Sequence, residues 1–249
     1  MGRVRLTIVG CSGSVPGPAS AASSYLVEQD GFRVLLDLGS GAFGALQQHL
    51  DPADVDAVVL SHLHADHCLD LTAMVVHRRY GMTGAHRIPV LGPDGTHDRM
   101  ALAYDPAARG GLRDVFDFAA VTRGERELGP FRLRFERVNH PVETHAVRVS
   151  AGGRSLTYSG DTGVSEGLVT AARDADILLC EASCTEDMPH PPDLHLTGRE
   201  AGEHAAKAGV GRLLVTHIPP WTDRDRVRTE ATAAFAQTEL VTAGTVYEI

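Results

Sequence analysis

The stretch Ser61-His62-Leu63-His64-Ala65-Asp66-His67 concentrates three histidines and an aspartate within six positions. Neutral imidazoles and a carboxylate are donors that suit a borderline divalent cation such as zinc. The run follows the apolar stretch Ala57–Leu60, so a rigid strand would hold it in place. Histidines two residues apart can point to one side of an extended backbone. Asp66 and His67, just beyond in a turn, can reach a second ion. A polar surface loop has no need of so dense a set.

Three later segments place single donors in a similar context. Asn139-His140-Pro141 follows the apolar run Phe131–Val138, Gly160-Asp161-Thr162-Gly163 follows Ser155–Ser159, and His217-Ile218-Pro219-Pro220 follows Leu213–Thr216. Each donor stands just past a strand-like run, so all can converge on one edge of a sheet. Gly160 would let the backbone turn sharply while Asp161 points inward. Among the histidines outside this set, His49, His77, His86, His97, His145, His190 and His204 have no such context or match it less well. His145 is the nearest rival to His140.

The elements that must position these donors alternate between strand and helix patterns. Strands are expected at Val4–Gly10, Ser23–Glu28, Arg33–Leu38, Ala57–Ser61 and Ile88–Gly92, with helices at Ala42–His49, Leu69–Tyr80 and Asp94–Arg109. Gly81 would stop the second helix and Pro106 would limit the third. In the second half, strands are expected at Phe131–Val138, His145–Ser150, Ser155–Ser159, Ile177–Glu181, Leu213–Thr216 and Thr245–Ile249. Helices are expected there at Val164–Arg173, Gly198–Ala208 and Asp223–Ala236. Two halves, each with strands before helices, predict one α/β domain over residues 1–249, with two packed sheets and helices outside.

The His62–His67 motif and the order of the later donors resemble the metallo-β-lactamase superfamily. The resemblance implies an αββα sandwich of two mixed sheets flanked by helices, and two divalent metal ions, zinc first and manganese as the alternative. It implies that His62, His64 and His140 hold one ion, that Asp66, His67 and His217 hold the other, and that Asp161 bridges them. His195-Leu196-Thr197-Gly198, followed by a helix and then Thr216-His217, resembles the transfer-RNA 3′-processing endonucleases and related phosphodiesterases. In that branch His195 matches a histidine that assists proton transfer, and Glu181 resembles the acid beside it. Gly10-Cys11-Ser12-Gly13-Ser14-Val15, Leu179–Ser183, His190–Leu196 and Thr216–Thr222 resemble, more narrowly, bacterial cyclic-nucleotide phosphodiesterases of the atypical class II type.

That resemblance implies hydrolysis of a 3′,5′-cyclic phosphate to a 5′-nucleotide. In this reading His195 protonates the leaving oxygen or binds the phosphate, Glu181 orients its ring, and Asp66 is both ligand and acceptor for the nucleophile's proton. Asp70 is expected either to orient a ligand imidazole or to cap the helix near Leu69. His190-Pro191-Pro192-Asp193 is expected to wall the pocket. Trp221 would stack on a base or lie in the core. The alternatives are transfer-RNA processing or another phosphodiesterase activity on the same fold and, further off, a non-catalytic metal-binding protein; for transfer-RNA processing, only 21 positions separate His140 from Asp161, which leaves no room for an RNA-gripping arm.

The bulk chemistry points the same way. A net charge of −9 offers little to a long polyanion, whose binding rests on many Lys/Arg contacts. A small anionic phosphodiester is not excluded, because bound cations invert the local charge. The four cysteines, Cys11, Cys68, Cys180 and Cys184, show no paired spacing, so no disulfide framework is expected. No apolar run is long enough for a membrane span, and Met1–Gly10 lacks the pattern of a signal peptide. The expected setting is the cytoplasm, with no membrane or nucleic-acid partner and at most a second copy in a homodimer.

Overall fold

The computed structural model describes residues 3–84, 87–105, 107, 111–189 and 191–249. The first half contributes strands β1 (Arg5–Ser12), β2 (Ala21–Ala22), β3 (Ser24–Gln29), β4 (Phe32–Leu36), β5 (Ala57–Val59), β6 (Ile88–Gly92) and β7 (Phe116–Ala120). The second contributes β8 (Gly124–Leu128), β9 (Phe131–Arg137), β10 (His145–Ala151), β11 (Arg154–Tyr158), β12 (Ile177–Glu181), β13 (Arg212–Thr216) and β14 (Thr238–Leu240). The last strand, β15 (Val246–Glu248), returns to the first sheet and pairs antiparallel with β1.

The first sheet runs β15-β1-β3-β4-β5-β6-β7, with β2 beside β1, and the second runs β14-β13-β12-β11-β10-β9-β8. Both are mixed. In the first, β3 pairs antiparallel with β1 and β4, while β4 to β7 are parallel. In the second, β8 to β11 are antiparallel and β11 to β14 parallel. Alternate residues of the two inner faces meet in one core, with Leu6, Ile8, Val27 and Leu36 from one sheet and Phe131, Leu133, Val149 and Leu179 from the other. Each such side chain contributes roughly 1.5–3 kcal/mol by leaving water.

Helices cover both outer faces. On the first sheet, α1 (Ala42–Leu46), α3 (Leu71–Val76) and α4 (Thr96–Tyr104) bury Leu46, Leu71, Met74 and Met100 against Leu35, Val58 and Val90. On the second, α5 (Glu166–Ala172), α6 (Gly198–Ala208) and α7 (Arg224–Ala234) bury Leu168, Ala201, Ala205 and Val227 against Leu178, Cys180 and Val215. The architecture is the αββα sandwich expected. No helix among the described residues is long and apolar enough to cross a membrane.

Several local expectations need correction. Asp66 and His67 are not in a turn but on a one-turn helix, α2 (Ala65–Cys68), and α3 starts separately at Leu71. A π-helical turn, His77–Gly81, carries α3 to the expected stop. Asp70 does neither thing expected of it. Its carboxylate accepts the backbone N–H of Phe43, tying down α1, and it makes no side-chain cap to its own helix. The third helix ends at Tyr104; Pro106 and Arg109 lie outside the described residues, as do His86 and His190. Strands β7, β8 and β14 were not expected. They lie at the sheet edges, where solvent replaces one neighbour and apolar alternation fades; β8 reads Gly-Glu-Arg-Glu-Leu. Trp221 is 63% exposed, which removes it from the core.

Candidate metal centre

The donors leave the sheets at one edge, beyond the C-terminal ends of their strands. His62 follows β5, His140 follows β9, Asp161 follows β11, Glu181 ends β12 and His217 follows β13. The structure brings His62, His64, His140 and Asp161 into one cluster, and Asp66, His67, Asp161 and His217 into another; within each, the ligand atoms lie within 4.8 Å of one another. Asp161 belongs to both. Its Oδ1 lies 3.2 Å from Nε2 of His67 and 3.4 Å from Nε2 of His217, while its Oδ2 lies 3.7 Å from Nε2 of His62. One carboxylate therefore shows one oxygen to each cluster.

Hydrogen bonds decide which nitrogen each ring offers. Nδ1 of His62 faces Ser61 Oγ at 3.1 Å, and Nδ1 of His140 donates to the Leu194 carbonyl at 2.9 Å. Nδ1 of His67 faces Asp37 Oδ2 at 2.7 Å, and Nδ1 of His217 faces Ser183 Oγ at 2.9 Å. With Nδ1 engaged, Nε2 is the nitrogen that each of these four rings turns to its cluster. His64 is turned the other way: its Nδ1 lies 3.1 Å from Nε2 of His62 and 3.2 Å from Nε2 of His140.

This arrangement fits divalent cations. Three nitrogen lone pairs converge in the first cluster, which is unfavourable unless a proton or cation lies among them. Burial pushes the His62, His64 and His140 imidazoles below their ordinary range, so their lone pairs are available. In the second cluster burial is outweighed by charge. Asp161 and Asp37 hold His67 well above its ordinary value, and His217 and His67 hold the Asp66 and Asp161 carboxyls below theirs. A cation can replace the proton that compensates these carboxylates. Asp161 Oδ1 is buried and, among the described residues, has no well-aligned donor, which is the state of an oxygen waiting for a metal.

Beside the clusters stands a hydrogen-bonded pair, Glu181 and the half-buried His195. Glu181, fully buried, accepts from Nδ1 of His195 at 2.8 Å and from the N–H of Thr162 at 2.8 Å with one oxygen. Its other oxygen accepts from the N–H and Oγ of Ser183, the residue behind His217. The His195 ring lies 5.7 Å from that of His140 and 5.5 Å from that of His217, centroid to centroid. Burial lowers its pKa, but Glu181 and Asp161 outweigh burial and raise it to about 9.

The loop that carries His195 is fixed at both ends. Thr197 caps α6 in a reciprocal box with Glu200, worth about 1 kcal/mol. At the other end Asp193 packs on Gly163, where a Cβ would lie 2.5 Å from the Asp193 Cα. Pro191–Asp193, the described part of the expected wall, is exposed and runs into Leu194 and His195.

Asp37, Tyr158 and Ser183 are functional candidates that the sequence reading does not single out. Asp37 is fully buried, with φ 59, and its Oδ2 also accepts from Tyr158 and Ser61, each at 2.7 Å. One signal was available: like each later ligand, Asp37 stands within three positions of the end of an apolar strand. Among the described residues, the histidines without that context lie outside both clusters. His145 is buried near Phe135 and Glu143, outside both clusters. His204 bonds the N–H of Ser165 ahead of α5.

The profile of the family described as "Beta-lactamase superfamily domain" matches residues 32–218, three quarters of the chain and every donor above. The chain belongs to this superfamily. This superfamily member is 47% identical over 255 residues to the uncharacterised protein ML1173 of Mycobacterium leprae, covering 99% of this chain and 89% of the relative. It is 30% identical over 250 residues to YhfI of Bacillus subtilis, named a probable metallo-hydrolase, covering 98% of this chain and 100% of YhfI. The crystal structure of YhfI superposes with a TM-score of 0.89 at 28% identity, covering 100% of both chains. A ribonuclease Z of Halorubrum lacusprofundi is 29% identical over 288 residues, covering 93% of this chain and 92% of that protein. The protein is thus a metallo-β-lactamase-fold member related to the ribonuclease Z branch.

Proposed function

We propose that the protein is a metal-dependent phosphodiesterase that hydrolyses 3′,5′-cyclic nucleotides to 5′-monophosphates, with two divalent cations, zinc first. The observation that carries this reading is the pair of half-buried His195 and buried Glu181 at 2.8 Å, beside the two donor clusters. Divalent cations held there supply Lewis acidity that makes hydroxide available at neutral pH and offsets charge on phosphoryl oxygens. The chain's own groups supply proton management. His195, whose protonated form the Glu181 carboxylate favours, can give a proton to the departing 3′-oxygen. Glu181 keeps the ring in place through Nδ1, so Nε2 is the nitrogen that faces the substrate. Asp66, held ionised despite burial by His217 and His67, can accept the proton of the attacking water.

The kinship with a ribonuclease Z favours phosphodiester chemistry, and the form of the chain favours a small substrate. Between His140 and Asp161 lies only the hairpin of β10 and β11, paired from Val147–Tyr158 to Ala151–Arg154, and no arm projects from it. On this reading the enzyme works in the cytoplasm, alone or as a homodimer, on a small anionic phosphodiester. The exposed Trp221 is free to stack on a base. Chromatography of reactions with cyclic AMP, cyclic GMP, bis(p-nitrophenyl) phosphate and a precursor transfer RNA, using zinc- or manganese-loaded protein, tests it. The expected product is the 5′-monophosphate. Clean 3′-trailer removal without cyclic-nucleotide turnover would overturn the proposal.

A further inference from the structure

The end of β1 and the loop after it, Ser12-Gly13-Ser14-Val15, have no part in the chemistry above, yet they lie against the second cluster. Ser12 forms an isolated parallel bridge with Ile218, which lays the loop along the segment carrying His217. The approach is one only glycine permits: a Cβ at Gly13 would lie 2.4 Å from the His217 carbonyl oxygen. Where the segments touch, each holds a non-glycine residue in the left-handed region, Ser14 at φ 62 and His217 at φ 56. Such conformations are uncommon and persist where the surroundings over-determine them, typically at functional sites. Here the N–H of Val15 turns back to the Gly13 carbonyl at 2.6 Å, and Ser12 Oγ donates to the Val15 carbonyl at 2.7 Å.

The outcome of this tight turn is the direction of one donor. The backbone N–H of Ser14 points at Nε2 of His217, 3.4 Å away. That nitrogen is the one left for a cation, because Nδ1 is engaged by Ser183. One lone pair cannot serve both. With the lone pair given to a cation, the N–H is left without that acceptor, and Ser14 is exposed.

We infer that the Ser14 backbone N–H is a preorganised hydrogen-bond donor to a phosphoryl oxygen of the substrate. This rests on the phosphodiester reading and assigns part of the substrate's recognition to the glycine-containing loop. A rigid N–H aimed at the charged oxygen needs no reorganisation when charge builds there, which is the source of its effect. Recognition lies in the main chain, so the Ser14 side chain is not the element read.

The test is a titration of 15N-labelled, zinc-loaded protein with inorganic phosphate, followed by NMR. The Ser14 amide proton should move downfield and saturate together with the His195 ring. In a second arm, the α-hydroxy acid analogue of serine at position 14 replaces the N–H by an ester oxygen. Phosphate affinity should fall at least about tenfold with zinc content unchanged. A Ser14 amide that stays still while the His195 ring responds overturns the inference and leaves the phosphodiester reading standing. So does an ester variant that binds phosphate as tightly as the unaltered protein. If neither Ser14 nor His195 responds, the phosphodiester reading fails and the inference falls with it. The NMR arm uses unaltered protein, so it decides even where the ester variant fails to fold.

Discussion

Asp37 Oδ2 lies 2.7 Å from Nδ1 of His67, and both side chains are fully buried. The same oxygen accepts from Tyr158 and Ser61, and Oδ1 accepts the N–H of Ser61 at 2.7 Å. A single carboxylate from the end of β4 thus turns a ligand of the second cluster and braces the start of the motif that supplies both. Asp37→Asn replaces one acceptor oxygen by a donor among four donors. Zinc affinity, read by competition with a chromophoric chelator, should fall about 10- to 100-fold. The unfolding free energy of the metal-free protein should fall by roughly 1–3 kcal/mol for the buried donor left unpaired. Unchanged zinc affinity would show that His67 needs no such partner.

Asp161→Ala should lower bound metal below that of the parent protein and remove more activity than any single change outside the donor set. The residue shows one oxygen to each cluster, so its loss disturbs both. Elemental analysis of the folded variant, beside turnover of a phosphodiester, checks this. Full metal content with near wild-type turnover would remove Asp161 from the ligands.

The proton on His195 has a defined pH window. Its pKa is raised to about 9 because Glu181 and Asp161 outweigh burial. A raised pKa favours folding fully below the ordinary imidazole value near ~6.5, and this contribution is lost as pH climbs through about 9. In metal-free protein, the NMR titration of the His195 ring should therefore centre well above the ordinary value. Glu181→Gln should move that midpoint down, and in loaded enzyme should shift the alkaline limb of kcat/KM towards lower pH. A midpoint indifferent to Glu181→Gln would exclude the pair as the device that holds the proton.

Gly163→Ala tests the loop that presents His195. A Cβ there meets the Asp193 main chain at 2.5 Å, so Asp193, Leu194 and His195 must shift together. His140 then loses the Leu194 carbonyl, and His195 its fit to Glu181. A displacement near 1 Å is enough to lower kcat by about 10- to 100-fold, with a smaller change in KM. Wild-type kcat in a folded variant would mean that the loop's position is immaterial to turnover.

The seven donors could be read from the chain alone because their signal is local. His62 to His67 are packed into six positions, and His140, Asp161 and His217 each end an apolar run, so strand direction sends all of them to one edge. The alternation of strand and helix was equally legible wherever elements are buried on a face; it faded at the edge strands β7, β8 and β14. What only the tertiary structure decided is how the donors are held. Asp37 reaches His67 across 30 positions, Tyr158 reaches Asp37 across 121, and Ser183 reaches His217 across 34. These partners meet because two sheets pack face to face, an interaction spread over the whole core. The choice of nitrogen on each ring and the two oxygens of Asp161 shown to opposite clusters follow from that packing. So does the Ser14 N–H turned onto His217. Hydrogen-bond direction depends on angles fixed in three dimensions, and residue order along the chain carries no record of them.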